Sequence, residues 1–170
     1  EDEVMAIIYS DHLIKNKRQF EESLRIAEQI AASESTLNIV EVPALSPNTG
    51  LGYVHLGPKW HTIDDTDIYE IKNFTEKPDL ETAKKFVESG DYAWNTGIYV
   101  WKASTLLKKF ALHAPDSYEK FQKIASALGS PEEQTTIAET YPTLQKISID
   151  FAIMEKVDPK EVRILPAILG

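Results

Sequence analysis

The sequence predicts a mixed α/β fold, a mostly parallel sheet flanked by helices, and three observations carry that expectation. Val4 to Tyr9 is an unbroken apolar run, the mark of a strand buried on both faces. Phe20, Leu24, Ala27, Ile30 and Ala31 recur at spacings of three and four, which is one face of a helix. A second apolar run covers Leu37 to Val42. Strand, helix and strand thus follow in the rhythm of a parallel unit.

The elements that follow are read in order. Pro43 to Pro58 is rich in Pro and Gly, predicting loop with a short strand at Tyr53 to Leu56. Asp64-Asp65-Thr66-Asp67 reads as a turn between hairpin strands, the second from Ile68 to Thr75. Asp79 is placed to cap a helix that ends before Gly90, with Leu80, Ala83 and Val87 inward. Trp94 to Gly97 reads as lead-in to a strand at Ile98–Trp101, and Leu106, Leu107 and Phe110 mark a helix stopped near Pro115. Asp116 caps a helix bearing Phe121, Ile124, Ala125 and Leu128, closed by Gly129. Ser130-Pro131-Glu132-Glu133 is a capping box with proline at the first helical position. Ser148 is placed to cap a last short helix, and a final strand starts near Val162.

Composition sets outer limits. A chain of 170 residues, 42% hydrophobic, is long enough for one cored domain. Its net charge of −9 argues against nonspecific binding to nucleic acid or anionic membranes. A small anionic ligand stays open, since a phosphate needs only a local donor or two. With no cysteine, disulfides and thiolate metal sites are out, which suits a reducing cytoplasm. No apolar run reaches the ~18–20 residues of a membrane span and no signal peptide opens the chain, so a cytoplasmic location is the default. Glu1-Asp2-Glu3 and the apolar Ile164–Gly170 both read as places where something has been removed.

Five short stretches hold residues suited to chemistry. Asp11-His12 follows the first strand, and a carboxylate at a strand end can ligate Mg²⁺ or simply cap the next helix. In Pro47 to Tyr53, Gly50 and Gly52 let backbone pass close to a ligand, although a tight turn explains them equally well. Glu76-Lys77-Pro78 offers an acid for sugar hydroxyls and an ammonium for a phosphate, or an ordinary surface ion pair. In Trp94-Asn95-Thr96-Gly97, Asn95 provides a donor and an acceptor for vicinal hydroxyls and Gly97 allows close approach; satisfying the loop is the alternative. Ser148 to Lys156 reads as a capped amphipathic turn with Asp150 in its first turn. His12, His55, His61 and His113 show no metal-ligand spacing.

In their order and spacing these stretches resemble the mannose-1-phosphate guanylyltransferases. Ser10 to Ile14 is similar to that family's D-H-x-I element, Pro47 to Tyr53 to P-x-T-G-x-G-Y, and Phe74 to Pro78 to F-x-E-K-P. Tyr92 to Ile98 resembles Y-x-W-N-[ST]-G, and Ser148 to Lys156 resembles S-I-D-[YF]-A-[IV]-M-E-K. The resemblance implies a Rossmann-like nucleotide-diphospho-sugar transferase fold, truncated at both ends, with residues 1–170 forming a single partial domain, the acceptor-sugar half. It implies Mg²⁺ dependence, with mannose 1-phosphate and GTP as substrates giving GDP-mannose and pyrophosphate. Asp11 would be a metal ligand and catalytic, Lys77 catalytic on the sugar phosphate, and Glu76 and Asn95 would bind sugar hydroxyls. Gly50, Gly52 and Gly97 would bring backbone to the sugar, and Asp150 would join the substrate site in an open role.

The departures are specific. Glu41 stands where the family has glycine, Ala44 where it has proline, and Leu51 where it has an aromatic residue. The G-G-x-G-T-R-L-x-P element and the W-x-D-x-G-x-W stretch with its second metal-binding aspartate are absent from these residues. The isolated chain is therefore expected to be inactive, and to associate as a homodimer or through an unpaired sheet edge near Val4–Tyr9. The rival readings are a nucleotidylyltransferase for another hexose 1-phosphate and a non-catalytic sugar-nucleotide-binding regulatory module.

Overall fold

A computed structural model describes residues 2–169. The chain divides into two compact units, one ending at Thr105 and resuming at Asp158, the other running from Leu106 to Val157. The first unit holds a six-stranded sheet: β1 (Val4–Ile7), β2 (Leu37–Pro43), β3 (Tyr53–Ile63), β4 (Thr66–Thr75), β5 (Tyr92–Lys102) and β6 (Val162–Pro166). The strand order is β1-β5-β2-β6-β4-β3, and β3 pairs also with β5.

The mixed α/β class stands, but the mostly parallel sheet is corrected to a mostly antiparallel one, with only β2 and β6 parallel among the described residues. The reason is the placement of β5. Strands β1 and β2 do run the same way on either side of α1 (Lys17–Ser33), but β5 lies between them, antiparallel to both. Hydrophobic periodicity specifies strand, helix and strand; it carries no trace of a later strand that returns to fill the gap.

Helix α1 is capped by the Asn16 side chain, which accepts from Gln19 N at 3.2 Å. It buries Ser23, Ile26, Ala27, Ile30 and Ala31. Their cluster includes Val40 on β2, Ile98 and Val100 on β5 and Leu165 on β6. The helix is also pinned by a buried polar contact: Asn38 Nδ2 donates to Ala27 O at 3.0 Å, and Thr36 Oγ1 donates to Asn38 Oδ1 at 2.9 Å.

Several expected boundaries shift. Strand β1 pairs only with β5, and Met5 and Ala6 are exposed, so it is an edge strand rather than one buried on both faces. Strand β3 continues through Gly57-Pro58 to Ile63, with register shifts between Leu56 and Lys59. Proline is tolerated at such an irregular edge because no ladder donor is required there. The hairpin turn is as expected, with Asp64 and Asp65 at φ 47° and 63°, the handedness a two-residue turn requires. Helix α2 (Leu80–Ser89) is capped by Asp79, which accepts from Thr82 N at 2.8 Å; Ala83 is buried, whereas Leu80 is exposed.

Helix α3 (Ala103–His113) begins in the first unit. The second unit continues with α4 (Pro115–Ala127), α5 (Glu133–Thr140) and a π-helical turn at Asp150–Met154. Ala114, not Asp116, occupies the cap of α4, because Pro115 already takes the first helical position. The expected capping box does not form: Glu132 precedes α5 with no side-chain cap, and the bonds of Ser130 and Glu133 lie ahead of the helix, where Glu132 N donates to Ser130 Oγ at 3.2 Å and Gly129 N to Glu133 Oε2 at 2.7 Å. Helix α5 accordingly starts at Glu133 rather than Pro131.

Candidate functional site in the sheet unit

The site is built around an interruption in β5. Val40 pairs with Ile98 and Val42 with Trp94, so Glu41 of β2 faces three residues of β5: Asn95, Thr96 and Gly97. Such a bulge takes backbone amides out of the ladder, and buried amides need acceptors. Each one finds an acceptor. Asn95 N donates to Gly52 O at 2.8 Å and Thr96 N to Glu41 Oε2 at 2.8 Å. Gly97 N donates to Asn95 Oδ1 at 3.0 Å, and Ile98 N to Thr96 Oγ1 at 3.0 Å. The Thr96 hydroxyl in turn donates to Val40 O at 2.5 Å. Trp94 to Gly97 is thus part of β5 rather than a lead-in loop, and its side chains replace the missing ladder.

Two of the expected glycines sit where a side chain would crowd its neighbours. Gly97 has φ 70°, and the Tyr9 ring occupies the place of a Cβ. Gly52 is buried; a Cβ there would overlap the Glu76 carboxylate and come within 3.0 Å of Phe74 Cζ and 3.3 Å of Asn95 Cβ. That crowding places Gly52, Glu76 and Asn95 together. Gly50 is different: it is exposed, and a Cβ would meet only Asn48 Oδ1 at 3.3 Å. Its loop is held by Tyr53, whose hydroxyl accepts from Asn48 N at 2.8 Å and donates to Ser46 O at 3.3 Å.

Beside the bulge lies a hollow of ≈ 320 Å³ whose lining includes Asp11, His12, Leu51, Trp94, Asn95, Thr96 and Leu169. The loop after β1 reaches it because Lys15 N and Asn16 N both donate to Leu169 O, at 2.9 and 3.0 Å. Since Asn16 caps α1, Asp11 is not needed as a cap and stands exposed on the hollow. Glu76 and Lys77 are not among the lining residues. Glu76 joins the group through Gly52 and Asn95, with its side chain 16% exposed. Lys77 follows by an ion pair of 3.1 Å to Glu76 and is 63% exposed, where such a pair adds little stability. Lys77 also holds φ 45° immediately before Pro78, a strained backbone for a residue with a side chain.

Asp11, Gly52, Glu76, Asn95 and Gly97 are therefore brought together or linked by direct contact, Lys77 joins through Glu76, and Gly50 stands on the neighbouring loop. Asp150 belongs to the second unit, in its π-helical turn, where its carbonyl accepts from Glu155 N at 2.9 Å. That unit has its own larger hollow, ≈ 460 Å³, lined by residues such as Phe110, Phe121, Tyr141 and Leu144, and none of the expected site residues is among them.

Sequence reasoning missed Glu41, which is fully buried, and the anchoring role of Thr96. A signal for Glu41 was present: a carboxylate inside an apolar strand run is rarely buried without a partner. For a cation the donor set is narrow. Among the described residues no three His, Cys, Asp or Glu side chains gather to hold a metal ion, and on the hollow Asp11 stands with His12 alone of that set. No described helix is long and apolar enough to cross a membrane.

Residues 1–138 match the nucleotidyl transferase family, a stretch that contains Asp11, Gly52, Glu76, Lys77 and Asn95. The mannose-1-phosphate guanylyltransferase of Klebsiella pneumoniae is 32% identical over 157 residues, 92% of this chain and 33% of that protein. The alginate biosynthesis protein AlgA of Pseudomonas fluorescens is 31% identical over 156 residues, 91% of this chain and 32% of that protein. The chain thus spans about a third of the length of these curated relatives. A crystal structure described as mannose-1-phosphate geranyltransferase from Thermus thermophilus superposes with a TM-score of 0.84 at 27% identity, covering 99% of this chain and 45% of that one. With the family match covering residues 1–138, which hold strands β1 to β5 and the hollow's lining apart from Leu169, the chain belongs to the nucleotidyl transferase family.

Proposed function

We propose that these residues form the sugar-phosphate-holding part of an enzyme that transfers GMP from GTP to mannose 1-phosphate. The observation that carries this reading is the packing of Glu76 and Asn95 against Gly52, beside a hollow that Asp11 also lines. In the reaction a phosphate oxygen of the sugar phosphate attacks the α-phosphorus of GTP. The bond from that phosphorus to its β-bridging oxygen breaks, and pyrophosphate leaves with the electron pair. Catalysis of this kind is positioning plus neutralisation of charge.

Glu76 accepts hydrogen bonds from sugar hydroxyls, Asn95 holds the sugar from the bulge, and Lys77 meets the phosphate. Backbone at Gly50 and Gly52 allows the sugar ring close approach. Asp11 is the residue that would hold Mg²⁺, which when bound supplies positive charge to phosphate oxygens. A role for Asp150 at the substrate is carried by motif resemblance. The absence of cysteine is compatible with the cytoplasmic location we propose. Edge strand β1, with Met5, Ile8 and Tyr9 exposed beside it, is the surface we assign to self-association.

The test is a binding titration of the chain with mannose 1-phosphate, glucose 1-phosphate, mannose and inorganic phosphate. Mannose 1-phosphate should bind more tightly than the other three, and Glu76→Gln and Asn95→Ala should each weaken it about tenfold, the loss of one well-placed hydrogen bond. Equal affinity for mannose 1-phosphate and inorganic phosphate would overturn the sugar site; a preference for glucose 1-phosphate would reassign the hexose. Asp11 is the one acidic side chain on the hollow's lining, so we expect no pyrophosphate release from the 170-residue chain alone with GTP, mannose 1-phosphate and Mg²⁺.

A further inference from the structure

We propose that Glu41 is a positioning residue that sets the geometry of Asn95 for the sugar, an inference resting on the sugar-site reading above. Glu41 is fully buried on β2, at the one point where that strand faces the three-residue bulge. Its Oε2 accepts the amide of Thr96, the central residue of the bulge, at 2.8 Å. The next amide, Gly97 N, is the one that holds Asn95 Oδ1 at 3.0 Å. A carboxamide's two ends differ in what they donate and accept; Gly97 N fixes Oδ1 and Nδ2 reaches the Tyr99 hydroxyl at 3.5 Å, so the orientation of the Asn95 side chain is set from both ends. Glu41 therefore acts on Asn95 through two consecutive peptide groups.

The main chain of the same residue ties down the other wall. Glu41 O accepts Ala167 N at 2.7 Å, and two residues later Leu169 O accepts the amides of Lys15 and Asn16. Those contacts carry the loop that bears Asp11, and Leu169 and Asp11 both line the hollow. One residue thus links the wall that carries Asn95, through its side chain, to the wall that carries Asp11, through its carbonyl. A side-chain substitution releases the first link and leaves the second intact.

The experiment compares the chain with Glu41→Ala and Glu41→Gln. For each, affinities for mannose 1-phosphate and for inorganic phosphate are measured, and the exchange rate of the Thr96 amide and the Asn95 carboxamide signals are read by NMR. Glu41→Ala should weaken mannose 1-phosphate about tenfold and leave inorganic phosphate within about twofold. It should also speed Thr96 amide exchange and shift the Asn95 carboxamide. Glu41→Gln, which keeps an acceptor oxygen of the same reach, should restore all three. An equal loss for both ligands would show a general structural role and overturn the proposal. An unchanged affinity for mannose 1-phosphate, or an unmoved Asn95 signal, would overturn it too. Should the unsubstituted chain fail to prefer mannose 1-phosphate, the sugar site itself fails. The exchange and carboxamide signals then still report whether Glu41 holds the bulge.

Discussion

Along β5, residues 98–100 and residues 94–97 face the same neighbour, β2, and build different things. The later three and Trp101 pair in unbroken register with β1 or β2, and Ile98, Tyr99, Val100 and Trp101 are all 2% exposed or less. Of the earlier four, Trp94 still pairs with Val42 and Tyr53, whereas Asn95, Thr96 and Gly97 leave the ladder and satisfy their amides with the carbonyl of Gly52 and the side chains of Glu41 and Asn95, with Asn95 and Thr96 only half-buried. The regular half is specified by apolar burial and is replaceable in kind. The irregular half is specified by individual acceptors, each at one place. A ladder presents no polar group sideways; a bulge does, and that is where Asn95 and Thr96 reach the hollow.

The strongest test of that contrast is a pair of truncations. Trp101→Ala should cost about 3–5 kcal/mol of unfolding free energy, measured by urea denaturation, because it empties a fully buried indole site. Asn95→Ala should cost less, about 1–2 kcal/mol for the Gly97 amide that loses its acceptor, while weakening mannose 1-phosphate. If both lose stability equally, the division between a core half and a site half is wrong.

Next in size are the two glycines of the preceding loop. Gly52→Ala forces a methyl group into the Glu76 carboxylate and against Phe74, so about 1–3 kcal/mol of destabilisation and loss of sugar-phosphate affinity are expected. Gly50→Ala meets only the Asn48 side chain and should stay within ~0.5 kcal/mol by the same denaturation assay. Thr96→Val probes the bulge itself. It keeps the shape but removes the hydroxyl that donates to Val40 O and accepts from Ile98 N, and should cost about 1–3 kcal/mol. Thr96→Ser, which keeps the hydroxyl, should recover most of it.

These particulars show what was legible in the sequence. Helix α1 and its buried face were readable because periodicity reports burial, and the caps at Asp79 and the turn at Asp64-Asp65 because those residues act locally. Asn95 and Glu76 were readable as hydrogen-bonding residues beside glycine and proline. The antiparallel return of β5 was not, since strand order depends on contacts between residues far apart in the chain. Nor was the difference between Gly50 and Gly52, which lies in what stands opposite each: solvent and Asn48 for one, Glu76 and Phe74 for the other. Glu41 was visible as a departure from the family pattern, but its use appears only once β2 lies against the bulge.

A third stretch of β5, its beginning, gives the smallest expected effect. Tyr92 pairs with His55 of β3 and stacks on its ring at 4.4 Å, and Phe86 stacks on Tyr92 from α2 at 3.9 Å. The His55 pKa is lowered, first by burial and then by the Lys72 ammonium, whose Nζ lies 3.2 Å from Nε2, against opposing contributions from Asp91 and Asn73. A histidine that resists its proton when folded takes it up more readily when unfolded. Its contribution is therefore present above the ordinary histidine pKa of about 6.5 and is lost as pH falls through the lowered value. The urea midpoint should decline between about pH 7 and pH 5, and His55→Phe, which keeps the stack without the titrating nitrogen, should decline less over the same range. A steeper decline in His55→Phe would mean that protonated His55 stabilises the fold, and that Lys72 does not oppose its charge.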